Sequence, residues 1–113
     1  MGNTVYINEE EGKKRVMNNV KLYTKLLTKF QADTNMNDLM ASTDAQDWEK
    51  AQGAAHSIKG LSANLSLTEL FNQSLEVESQ IKGKSLKQET LENLKACYEE
   101  TLIQVGKVIA KNA

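Results

Sequence analysis

The residue type and spacing best suited to chemistry occur at His56, the one histidine in 113 residues, with Lys59 three positions on. On a helix, positions three, four and seven apart are neighbours. Around His56 those positions include Gly53, Gly60 and Ala63, all small, with Lys59 and Glu49 at the flanks. A glycine inside a helix costs about 1 kcal/mol relative to alanine, so two of them here do not serve stability. They clear the surface beside the imidazole for close approach by another macromolecule. An unhindered, exposed imidazole beside a mobile positive charge suits nucleophilic acceptance of a phosphoryl group. Composition alone would make His56 a solvated surface residue; the glycines and the lysine are what favour the chemical reading.

The element that must carry the histidine is a helix. At roughly 100° per residue, Trp48, Ala51, Ala55, Ile58, Ser62 and Leu65 fall on a stripe about 100° wide, the width of a core-facing side. His56 lies roughly 120° from the middle of that stripe, toward water. Asp44 or Asp47 is a suitable N-cap, Trp48 the first large core anchor, and the helix ends near Asn64 or Leu65.

The string Ala55-His56-Ser57-Ile58-Lys59-Gly60-Leu61-Ser62-Ala63-Asn64-Leu65 resembles the signature of histidine-containing phosphotransfer (HPt) domains, His-x-Leu-Lys-Gly followed by a small or hydroxyl residue and then a glycine. Ile58 stands for the commoner leucine, Leu61 is bulkier than usual, and Ser66 stands where the family has glycine. The resemblance implies His56 as phosphoryl carrier, Lys59 as its charged neighbour, and Gly60 as the residue that leaves room for the partner. It further implies that a polar residue of the following helix joins the active surface. Glu78 and Lys82 are the candidates, with solvated charges on a helix face as the alternative.

The other helices follow from pattern. Asn8 caps a short helix opened by Glu9-Glu10-Glu11, with Val16 and Met17 burying its end and Asn18-Asn19 turning the chain. Val20, Leu22, Tyr23, Leu26, Leu27 and Phe30, then Met36, Leu39 and Met40, predict one long helix to about Ser42, irregular near Thr34 and Asn35. Ser66-Leu67-Thr68-Glu69 reads as a capping box. It opens a helix that carries Leu67, Leu70, Phe71, Leu75, Val77, Glu78 and Ile81 and stops at Gly83. Ser85-Leu86-Lys87-Gln88 reads as a second capping box, opening a last helix from about Leu86 to Ala110. The expected architecture is all-α: an antiparallel up-down-up-down four-helix bundle with an additional short N-terminal helix. Residues 1–113 form a single HPt-like domain, with 1–7 a loose tail.

Composition excludes other classes. A net charge of −1 gives no electrostatic basis for nucleic acid, and no apolar run reaches the ~20 residues of a membrane span. The single cysteine, Cys97, reads as a small buried hydrophobe and fits a reducing compartment. With no signal peptide at its start, the chain is expected to be cytoplasmic and, like the family, monomeric. One histidine and one distant cysteine do not make a metal site. No glycine-rich phosphate loop is present, which argues for a phosphocarrier rather than a kinase with its own ATP site. The chain is therefore expected to have no cofactor of its own, the resemblance placing Mg²⁺ on the receiver partner. Response-regulator receiver domains, a hybrid sensor histidine kinase, or both are the implied partners. The rivals are a non-transferring helical adaptor that binds through the same face, and an orphan structural bundle with a solvated histidine.

Overall fold

The computed structural model describes residues 5–112, so the expected loose tail lies partly outside them; of its described part, Tyr6 and Ile7 pack against the core. Asn8 accepts the amide of Glu11 (3.1 Å) and opens α1, Glu9–Arg15, with three glutamates in its first turn and three basic residues in its last. Val16 packs on the core, but Met17, expected to do the same, is 91% exposed. Its φ of 55°, followed by 60° at Asn18, sets it at the tip of the turn, pointing away from the bundle. Asn19 then caps α2, Val20–Gln31, by accepting the amide of Leu22.

The long helix expected through Ser42 is in fact two. After α2 the chain passes through Ala32 (φ −95°, ψ 0°) and Thr34 (φ −107°, ψ 2°) before α3, Asn35–Asp44. Asp33 causes the break. Its carboxylate accepts both the backbone amide (3.0 Å) and the side-chain amide (2.9 Å) of Asn35, offering the backbone an alternative to the helical ladder. The jog lets α2 pack on the last helix while α3 packs on the histidine helix.

Asp47 accepts the amide of Lys50 and caps α4, Trp48–Leu65. The expected stripe holds at Ala51, Ala55, Ile58, Ser62 and Leu65, all buried. It fails at Trp48, which is 45% exposed. That first turn faces a cavity bounded by Ile81 and Leu86 rather than filled core. At the other end Ser66 adopts the left-handed conformation (φ 58°, ψ 41°), and the amide of Leu67 donates to Ser62 O (2.8 Å) in the pattern usually closed by glycine. This overturns the capping box: the Ser66 hydroxyl donates to Glu11 Oε1 (2.8 Å), and the next helix, α5 (Thr68–Lys82), starts from Leu67 with no side-chain cap. The second box fails similarly. Lys87 N donates to Gln80 Oε1, and the last helix, α6, runs Gln88–Asn112.

Helices α4 and α5 pack side by side, α6 packs on α5, and α2 closes the bundle against α6, with α1 covering one end over α2 and α4. The result is the antiparallel bundle with an added N-terminal helix, without strands among the described residues. Along α5, Leu70, Val77, Glu78 and Ile81 are buried, whereas Leu75 faces out. Along α6, Leu91, Leu94, Val105 and Val108 are buried, Tyr98, Leu102 and Ile109 are half-buried, and Cys97 is a buried free thiol. Tyr23 joins two layers: it is fully buried and donates its hydroxyl to Leu65 O at 2.9 Å. Gly12 makes room for it, since a Cβ there would lie 2.5 Å from the Tyr23 ring.

Candidate functional site

Ala51, Ala54 and Ala55 turn into the core, and His56 stands at the α4–α5 edge, where it meets Glu78 of α5. Its side chain is 68% exposed. Across the edge, Glu78 of α5 is only 4% exposed at its side chain and sits at the base of the ring. Glu78 Oε2 is 3.1 Å from His56 Nδ1, and Oε1 is 2.7 Å from Lys59 Nζ. Lys82, one turn on along α5, brings its Nζ to 3.5 Å from Oε2.

Four of the residues singled out in the sequence therefore form one cluster, centred on Glu78. That carboxylate is neither a solvated charge nor an outer contact residue; it lies beneath the imidazole. Lys59 is held by it rather than mobile. Burial is the largest single influence on Glu78 and pushes its pKa up, but Lys59, His56 and Lys82 together outweigh it and hold the carboxyl below its ordinary value. Glu78 is therefore ionised at neutral pH and can only accept hydrogen bonds. The tautomer of His56 is assigned from that bond: Nδ1 carries the proton, and Nε2 presents its lone pair. A carboxylate that fixes an imidazole in one tautomer and orientation also stabilises positive charge that develops on the ring.

The remaining positions lie on α4 around the histidine. A Cβ built on Gly53 or Gly60 meets no atom within 4 Å, so both glycines face open space and neither is required by packing. Ala63, two turns beyond His56, is half-buried. No group of three or more metal-ligating side chains occurs among the described residues, and none of their helices is long and apolar enough to cross a membrane.

Sequence reasoning pointed to Glu78 and Lys82 but did not anticipate the depth of the carboxylate. The available signal was its place between Val77 and Ile81, both core residues. The exposed indole of Trp48 carried no such signal.

Residues 25–103 match the model of the Hpt domain family, a stretch that contains α4, α5 and the whole cluster but not α1. Comparison with curated proteins and with solved structures gives no significant match.

Proposed function

The chain belongs to the Hpt domain family, the histidine-phosphotransfer modules of two-component signalling, and on that premise we propose that it is a phosphorelay intermediate with His56 as its phosphoacceptor. The observation that carries this reading is an exposed imidazole whose Nδ1 is held by a buried, ionised carboxylate. Nε2 attacks the phosphorus of an aspartyl phosphate on a response-regulator receiver. The N–P bond forms as the P–O bond breaks, and the electron pair of that bond returns to the receiver's aspartate. The ring gains positive charge while Nδ1 keeps its proton, and Glu78 stabilises that charge through the same hydrogen bond. Attack by a second receiver's aspartate on phosphorus reverses the sequence and regenerates the neutral ring.

Lys59 and Lys82, both drawn to Glu78 beside the His56 ring, supply positive charge that offsets the charge of the phosphoryl group. Gly53, Gly60 and Ala63 form the floor of the contact surface. Mg²⁺ bound by the receiver provides the remaining neutralisation at phosphorus, and this chain contributes the nucleophile.

The test is phosphoryl transfer from a phosphorylated receiver domain to this protein and to its His56→Gln variant. The expected result is acid-labile, base-stable label on the wild type alone. A folded protein that takes no label from any receiver tested, yet binds one equally well with His56→Gln, would overturn this reading in favour of an adaptor.

A further inference from the structure

We propose that the cavity beside the first turn of α4 is a socket in which the receiver seats an apolar side chain flanked by carboxylates, an inference that rests on the phosphotransfer reading above. The cavity is about 450 Å³ and is lined by Trp48, Gln52, Ile81 and Leu86, with Lys82 and Lys84 among its walls. Trp48 is the one tryptophan of the chain, and it is 45% exposed beside this hollow although it is the largest apolar side chain available to the core. Tryptophan in a concave, partly apolar site is the residue type that most often dominates a protein interface.

The cavity adjoins the histidine site through Lys82. Gln52 is one helical turn from His56, and Lys82, which touches Glu78, also lines the cavity. Trp48 and His56 are eight residues apart, about 12 Å along the helix axis. An interface of ordinary size covers about 800 Å² per partner, a disc roughly 30 Å across. A receiver centred on His56 therefore covers the cavity as well. Its charge selects the occupant further: two lysines against the single carboxylate of Glu49 leave the lining positive. The complementary element is an aromatic or aliphatic side chain with aspartate or glutamate within a turn of it.

The experiment uses the receiver domain that exchanges phosphoryl groups with His56 fastest among a panel, together with phosphoramidate, a small donor that needs no docking. The emission of Trp48 is expected to shift to the blue and saturate as that receiver is added. Trp48→Ala is expected to raise the half-saturating receiver concentration about tenfold or more. The saturated transfer rate and the phosphoramidate labelling of His56 stay unchanged. Lys84→Glu, a surface change, is expected to raise the half-saturating concentration several-fold at low salt and to flatten its salt dependence. It also decides the matter should Trp48→Ala lose helical structure.

Emission that ignores a saturating receiver, or wild-type half-saturation in both variants, overturns the socket while leaving the phosphoacceptor in place. A blue shift that follows the protein's own concentration without receiver assigns the cavity to a second copy and overturns it too. Failure of phosphoramidate and every receiver to label the folded wild type removes the phosphotransfer reading itself.

Discussion

The imidazole of His56 stands in solvent with its Nδ1 3.1 Å from a carboxylate, Glu78, that solvent scarcely reaches. An exposed imidazole is thus held by a buried charge. Glu78→Gln retains an oxygen that can accept from Nδ1 but removes the charge, and hydrogen bonds to ionised groups are roughly twice as strong as neutral ones. Phosphoramidate labelling of His56 is expected to slow about tenfold, equivalent to about 1.4 kcal/mol of lost stabilisation. Glu78→Leu removes the acceptor as well, and ¹⁵N spectra should then show both ring tautomers where the wild type shows the Nδ1–H form. Equal labelling rates in all three proteins would sink the assignment.

A Cβ at Gly53 or Gly60 would meet no neighbouring helix or side chain within 4 Å, so packing does not call for a glycine at either position. Replacing either by alanine should stabilise the protein by about 0.5–1 kcal/mol in urea unfolding, the ordinary gain at an unobstructed helix position. Gly60→Trp should remain folded and accept phosphoramidate label, yet exchange with a receiver at least tenfold more slowly. Undiminished exchange in that variant would show that the receiver does not approach over this surface.

Gly12 behaves in the opposite way. A methyl group there collides with the Tyr23 ring and hydroxyl at 2.5 Å, and Tyr23 cannot yield without loosening its bond to Leu65 O. Gly12→Ala should therefore cost about 1–3 kcal/mol, the usual penalty of forcing volume into a packed site. Phosphoramidate labelling at a temperature where the variant is folded should be unaffected.

Stability should decline in strong alkali. Burial pushes Tyr23, fully enclosed, from an ordinary 10.0 up to about 12, and pushes the Cys97 thiol from 9.0 to about 11. Both groups stay protonated in the folded chain after the unfolded chain has lost its protons. Stability is therefore intact below about pH 9 and falls as pH rises through these values, by about 1.4 kcal/mol per pH unit for each group involved. Tyr23→Phe should flatten the fall between pH 10 and 12 while losing about 1 kcal/mol throughout from the missing hydrogen bond. At the acid end the sign reverses: Glu78 and Glu9 are both held below their ordinary 4.5, so their contribution is present above that value and lost as pH drops beneath it.

Periodicity made much of this molecule legible, and its failures have physical reasons. It placed His56 outside and Ala51, Ala55, Ile58, Ser62 and Leu65 inside because an angle around a helix axis follows from spacing alone. It misplaced Trp48 because the same angle says nothing of whether a neighbour fills the space at that height. Glu78 was named but not located, since only the register of α4 against α5 brings it under His56. The break after α2 involves no glycine or proline; it rests on Asp33 binding the amides of Asn35. At Ser66 the local pattern fitted a capping box, yet closing α4 required a left-handed residue and left the hydroxyl to Glu11. Two local rules competed for one serine, and the tertiary contact decided between them.

Lys111 reaches Glu9 at 2.6 Å, joining helices 102 positions apart in sequence. The entry to α1 and the exit of α6 thus share one pole of the bundle, the pole where Asn8 N donates to Ser66 O beyond the end of α4. His56 stands ten residues before Ser66, about 15 Å away along the axis, and the Trp48 cavity lies farther still. The entry to α1 and the exit of α6 therefore lie together, away from the flank that carries His56. A bundle whose first and last helices meet at one pole can be spliced into a larger chain there, or have those helices joined and be reopened elsewhere, with the His56 flank left open.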